Sequence, residues 1–586
     1  MRRSMPEGAA RAARSGGPDR TPSSATLRRL EDGSIALVLR PADAPLAHDA
    51  VRTGAPLLLS VTSPASAAHE ELARGLALLA DGPLGEAYAS LTLARSLAPD
   101  APHDAGAAHL IRTASLAAAD AAWAAGDPDA CLDAIRAADA VPPPPAGGDG
   151  AAHPSPPPPD RAGDSLASHL AGLRALLELR PADAVGPLRR VVEAQRHGSP
   201  VALHRASVAA LLLGDVEVSA DLGRRALAAA RAEGRDDVAT QVLEYLAYAE
   251  MRCGRHSRAC AHATEGLDLA LRASQANSAA HHRAVLAFAA SVEGDGDAVR
   301  GHAEAALATA RRNGLAQTRT LAEWALARDD LGRGRADAAA SRLTSLAREG
   351  RAGGHFAIRP LLLPDLVEAV VLAGRPEPAV PAVEAFAAWA DFGVDAQATA
   401  QAFRCRALLA AAGVGVPGEA GRGPRQVPHP DEDDAGELFL RALDLHQDDP
   451  GELERSRTRF LYGRWLRRRR RLRAAREQLR VALHGFERCG AAGWADLARG
   501  ELRAAGEEVA PGGRPAALTP HQLRIARAVA TGATNREIAQ QLAVSVRTVD
   551  HHLRGIFVAL GVRSRVDVAR MVHRDVDAVP SPHQTD

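Results

Sequence analysis

Five polar residues crowd one short stretch near the carboxyl end, TNREIAQQLAVSVRTVDHHLRGIF at 534 to 557: Arg547, Thr548, Asp550, His551 and Arg554. The apolar residues Val549, Leu553, Ile556 and Leu560 recur there at i, i+4, i+7 and i+11, so a helix would bury that stripe and leave the five outside. Hydrogen-bonding side chains on the amino-terminal part of a short helix suit insertion into a major groove. A second cluster, Cys253, His256, Cys260 and His262, offers donor atoms that zinc accepts. Its spacing fits no standard knuckle and it straddles a turn at Gly254, so no metal is expected.

Other chemistry is excluded by residue type. All 71 basic side chains are arginine, so a phosphate-binding loop that needs a lysine on the β- and γ-phosphates cannot form. No G-x-S-x-G, no H-E-x-x-H and no alternating β/α pattern of a receiver domain occurs. Neither catalysis nor a cofactor is expected. Net charge is zero, which confines any nucleic-acid affinity to a local surface. Five cysteines show no secreted framework, and neither a signal-peptide core nor a membrane-length apolar run appears, so the expected location is the cytoplasm.

The elements that must position these residues read as an all-α chain. Its 586 residues exceed one core, and alanine, leucine and arginine dominate while aromatics make up 3%. Residues 1–25 are expected to be disordered, and 26–65 stay unassigned around the strand-like runs GSIALVL and APLLLSVTS. From 66 to 506 the pattern is a tetratricopeptide-like helical-hairpin solenoid. Turn glycines at Gly214, Gly254, Gly296, Gly334 and Gly374 open its units, and Gly234, Ser274, Gly314, Gly350 and Gly393 close them. Proline- and glycine-rich stretches at 141–164 and 413–437 are expected to be disordered insertions. The run Arg467 to Arg471 is expected at a helix end and turn, where cations complement the dipole.

After a linker at 507–515, a small four-helix domain is expected over 516–575, with a tail at 576–586. Thr519 and Pro520 suit a first helix with Leu523, Ala526, Val529 and Ala530 inward, ended by Gly532. Thr534 or Asn535 can cap a second helix, and Ser545 a third. Between 515 and 575 nine arginines face Glu537, Asp550, Asp567 and Asp575, a surplus of five positive charges.

LTPHQLRIARAVATGATNREIAQQLAVSVRTVDHHLRGIFVALGVRSRVDVARMV resembles the DNA-binding domain of LuxR-type transcriptional regulators, through L-T-P, G-x-[ST]-N-x-E-I-A, V-S-x-x-T-V, x-H and L-G-V-x-[ST]-R. The repeats more loosely resemble those of the large ATP-dependent members of that family, in which an NTP-hydrolysing switch comes first. That switch is missing from this sequence, which is read either as a shortened member or as one whose start lies upstream. Gln522, Asp550 and Ala559 depart from the family pattern, and fewer cations near the backbone should flatten the salt dependence of binding.

The resemblance implies base contacts from Arg547, Thr548, Asp550, His551 and Arg554, and phosphate contacts from Thr534, Asn535, Arg536 and Ser545. His552, at the family's histidine position, is expected to support the helix. Val566, Ala569 and Val572 on the fourth helix would form a dimer face. The implied partners are double-stranded DNA, a second copy on that DNA, a protein or small-molecule ligand of the solenoid, and RNA polymerase, with no membrane. Two other readings stay open: a repeat-based interaction adaptor, and the carboxyl-terminal part of an ATP-dependent switch.

Overall fold

The computed structural model describes residues 26–29, 35–38, 57–59, 64–98, 105–141, 161–194, 198–350, 352–392, 395–415, 433–446, 451–508, 520–542, 544, 546–560, 562 and 564–569. The expectations for 1–25, the core of both proline-rich stretches, most of the linker and 576–586 lie outside them. Short strands Thr26–Arg29, Ile35–Val38 and Leu57–Leu59 form an antiparallel sheet in chain order, with Thr26 opposite Val38 and Ile35 opposite Leu59. Everything described from residue 64 onward is helix and turn. Two helices begin inside the stretches read as insertions. Arg161–Leu177 starts before 164, and Asp433–Leu445 starts before 437.

The hairpins are regular. Pro200–Leu213 pairs with Val216–Ala232, Asp236–Arg252 with His256–Arg272, Ala276–Glu293 with Gly296–Asn313, and Ala316–Gly332 with Ala336–Ala347. Left-handed glycines stand at Gly214, Gly254, Gly294, Gly334 and Gly374, one every 40 residues. This corrects the turn expected at Gly296. Gly294 takes the left-handed conformation (φ 76°), whereas Gly296 is the first residue of the next helix, capped by Asp295 through the Ala298 amide at 3.0 Å. Ser274 and Arg470 hold the same conformation without glycine's freedom, at φ 55° and 59°. Arg470 thereby places the arginine run at the turn after Glu452–Arg468, and Arg467 Nε donates to Glu501 at 2.6 Å.

First and second helices of a hairpin differ in burial. Ala276–Glu293 is buried on nearly every side, whereas Leu472–Arg488 buries one stripe of Ala475, Leu479, Ala482, Gly485 and Phe486. Inner helices are thus enclosed by their neighbours, and outer helices face water. Alanine and glycine set the close spacing. A Cβ on Gly266 would lie 2.1 Å from Cε1 of the buried His282 ring. Gly266→Ala is expected to destabilise the protein by about 1–3 kcal/mol through overpacking, read as a lower urea midpoint at an unchanged slope.

The array winds on itself. Asn277 Nδ2 donates to the Leu79 carbonyl at 2.9 Å across 198 residues, and a Cβ on Gly294 would lie 2.9 Å from the Gly493 amide nitrogen. About five 40-residue hairpins therefore complete one superhelical turn. Inside it the first helices converge on a buried ionic cluster. Arg457 meets Asp365 and Glu368, both at 2.6 Å, and Glu454 at 2.9 Å, with its guanidinium 4.6 Å from the Trp494 ring centre. Trp324 Nε1 donates to Asp365 at 2.7 Å. Burial alone would raise Asp365 and Glu454, but the facing arginines more than reverse it and hold both below the usual carboxylate range.

Candidate nucleic-acid interface

The carboxyl-terminal domain has a core of its own: Ile525, Ala526, Val529, Ile538, Ala539, Val549, Leu553, Ile556 and Val568. Its helices are Pro520–Ala530, Asn535–Gln541 and Val546–Leu560, followed by a helical segment at 565–569. Gly532, left-handed at φ 87°, ends the first. Thr534, and not Asn535, caps the second through a complete capping box. The Thr534 hydroxyl accepts from the Glu537 amide at 3.3 Å, while the Thr534 amide donates to the Glu537 carboxylate at 2.6 Å. The T-x-x-E spacing of Thr534 and Glu537 is the sequence signal that separates the two candidate caps.

With Val549, Leu553 and Ile556 buried, Arg547, Asp550, His551 and Arg554 are exposed and Thr548 is half-buried. Arg536 is also exposed, whereas the Ser545 side chain lies outside the described residues. Asn535 joins the second and third helices: its Nδ2 donates to Asp550 at 2.5 Å, and its Oδ1 accepts from Arg565 Nη1 at 2.7 Å. Arg565 also donates to the Ala533 carbonyl. The Asn535 side chain therefore fixes Asp550 in place. Arg565, the arginine of L-G-V-x-S-R, is a positioning residue that spacing alone did not single out, because its partners lie 30 and 32 residues away.

On the expected dimer face, the Val566 residue is 58% exposed and Ala569 half-buried, while Val572 lies outside the described residues. His552 is buried, consistent with a supporting position, and faces Asp295 of the repeats. Its neighbour His551 faces Asp297.

The repeats carry a separate cavity between inner helices, lined among others by Tyr248, His256, Phe288, Trp324, Trp389 and Gln401. Burial pushes His256 down to about 4, so it is neutral at pH 7, and both its ring nitrogens lack a hydrogen-bond partner. Cys253 and Cys260 are buried, and burial pushes their thiols up to about 12 and about 11. Among the described residues no group of three or more His, Cys, Asp or Glu is arranged to hold a metal ion.

A capped helix, a tight turn and a helix with an exposed polar amino-terminal face define a helix-turn-helix domain of the DNA-binding class. Residues 516–572 match the family described as bacterial regulatory proteins, luxR family, and this segment is a LuxR-family domain. A protein of Mycobacterium bovis named as an HTH-type transcriptional regulator is 39% identical over 66 residues, 11% of this chain and 8% of that protein. The transcriptional regulatory protein LiaR of Bacillus subtilis is 35% identical over 74 residues, 13% of this chain and 34% of LiaR. The chain thus spans a small part of the length of these curated relatives. Among solved structures, a Rap protein complexed with competence and sporulation factor aligns over 75% of this chain and 97% of that one, with 11% identity and a TM-score of 0.34. Among the described residues, no helix is long and apolar enough to cross a membrane.

Proposed function

We propose that this chain is a sequence-specific DNA-binding transcription regulator whose helical repeats sense a ligand or partner. The observation that carries the reading is the face formed by Arg547, Asp550, His551 and Arg554, exposed on a helix whose opposite side is core, within a LuxR-family domain. Arg547 and Arg554 can each donate two bonds to a guanine, and Asp550, held by Asn535, can accept from a cytosine amine. Thr534 and Arg536 sit at the start of the second helix, where amides and cations favour phosphate.

The cavity beside His256 supports the sensing role. A neutral imidazole with both nitrogens unpartnered, set among aromatic walls, gains most from a ligand that brings a hydrogen-bonding group with it. The exposed Val566 supports self-association on DNA, which raises affinity by linking two half-sites.

Randomised duplexes separate the roles. Arg554→Ala is expected to cost about 1–3 kcal/mol at one base pair and to relax preference there, whereas Arg536→Ala weakens every sequence alike and lowers the salt slope by about one. Identical selection profiles for the two variants would contradict the assignment.

A further inference from the structure

The turn between Ala276–Glu293 and Gly296–Asn313 carries Glu293, Asp295 and Asp297 within five residues. It is held rigidly from behind. Arg333 Nη2 donates to the Gly294 carbonyl at 3.0 Å while its Nε donates to Asp329 at 2.8 Å, and a Cβ on Gly296 would lie 2.2 Å from the Arg333 guanidinium. On the other flank, Gly294 packs against the start of the helix Ala492–Ala504.

The reading domain sits against this turn. His552 Nε2 lies 2.7 Å from Asp295 Oδ2, with both side chains under a tenth exposed, and His551 Nε2 lies 3.6 Å from Asp297 Oδ2. Burial raises the Glu293 carboxyl, and Arg524, on the first helix of the domain, is close enough to oppose part of that rise. Two carboxylates therefore meet two imidazoles across this contact. Asp295 serves twice, since its Oδ1 caps the helix through the Ala298 amide while its Oδ2 faces His552.

We propose that the Glu293–Asp297 turn is a docking surface for the DNA-reading domain of the same chain, presenting carboxylates where DNA would present phosphates and so withholding His551 from DNA. This rests on the DNA-reading function proposed above. The conflict is steric and electrostatic. A duplex that brings a base edge to His551 needs the volume that Asp297 occupies, and its phosphates are repelled by the same carboxylates. The contact is also built to release. Beside it a cleft of about 550 Å³ stays open, lined by Thr264, Glu265 and Asp268 of the repeats and by Arg524, Arg527 and Leu542 of the domain. One edge holds the domain while the rest is unfilled, so a small change in the pitch of the repeats separates them. A ligand that alters the winding of the solenoid would thus set the exposure of the reading helix.

The test uses the full chain and short duplexes of random sequence at low salt. Asp295→Asn combined with Asp297→Asn keeps the helix cap, since asparagine caps as well as aspartate, but removes both charges. This variant is expected to bind DNA about five- to ten-fold more tightly, roughly 1–1.4 kcal/mol, with faster hydrogen exchange in the helix Val546–Leu560. A control that removes two distant charges, Asp337→Asn with Glu349→Gln, is expected to match wild type, which separates release from a general change of field. Unchanged affinity and exchange in the Asp295/Asp297 variant would overturn the docking, as would an equal gain from the control. Arg547→Ala with Arg554→Ala tests the DNA-reading function by itself: if exchange quickens in the Asp295/Asp297 variant while neither arginine matters for DNA, docking stands and the reading falls.

Discussion

Replacement of Arg457 by methionine is expected to destabilise the protein by about 3–5 kcal/mol, the cost of leaving buried carboxylates without their cation. Arg457 is 1% exposed and meets Asp365, Glu368 and Glu454, and so ties together the inner helices Arg359–Leu372 and Glu452–Arg468 of two separate hairpins. Methionine fills much of the volume and keeps contact with Trp494, so the loss is electrostatic and not a cavity. Arg328 and Arg404 compensate only partly, with Arg328 3.4 Å from Asp365 and Arg404 2.8 Å from Glu454. Denaturant unfolding followed by tryptophan fluorescence measures the change. Adding Asp365→Asn and Glu368→Gln to Arg457→Met should recover much of it, because removing both members of a buried pair is far less costly than removing one. An additive triple variant would refute the account.

The second large effect is a loss of stability in acid. Burial pushes His256, His302 and His355 down to about 4 and His282 down to about 3, against an ordinary value of 6.5. Below pH 6.5 the unfolded chain takes up protons that the folded chain refuses, so each histidine costs progressively more as pH falls to its folded value. Burial also raises Glu244 and Glu293 to about 7 and Asp120 to about 6, and these act in the opposite direction. They are protonated in the fold while still ionised when unfolded, so folding gains as pH drops toward 4.5. That gain offsets the histidines in part and levels off only as the unfolded carboxyls take up protons, near 4.5 for the glutamates and 3.8 for Asp120. The net loss from these groups is therefore expected to build up between about pH 6.5 and 4, on the order of 3 to 4 kcal/mol in all. Thermal melts across a pH series check it; a midpoint that holds steady from pH 5 to 4 would show that the histidines are not buried neutral.

Much of the reading domain was legible from local chemistry. Val549, Leu553 and Ile556 share a face because the helical period puts them there, and the same period leaves Arg547, Asp550, His551 and Arg554 outside. The hairpin repeat was legible for a similar reason, since an uncapped helix needs a left-handed residue to turn and glycine adopts it freely. The misplacement at Gly296 came from two glycines flanking one aspartate. Either could turn the chain on conformational grounds, and the helix cap that Asp295 makes with Ala298 decides for Gly294.

By itself, then, the sequence determined the helical class, the 40-residue period, the LuxR-family segment and the polar face of its third helix, all properties of neighbours within a few turns of chain. Tertiary structure alone decided the superhelical closure of Asn277 on Leu79, the ionic cluster around Arg457, the grip of Arg565 on Asn535 and the meeting of His552 with Asp295. Those partners lie from 30 to about 257 residues apart, beyond any periodicity a single chain displays. They are set by how small side chains let each hairpin pack on the last, an angle that accumulates over five repeats before two distant residues touch.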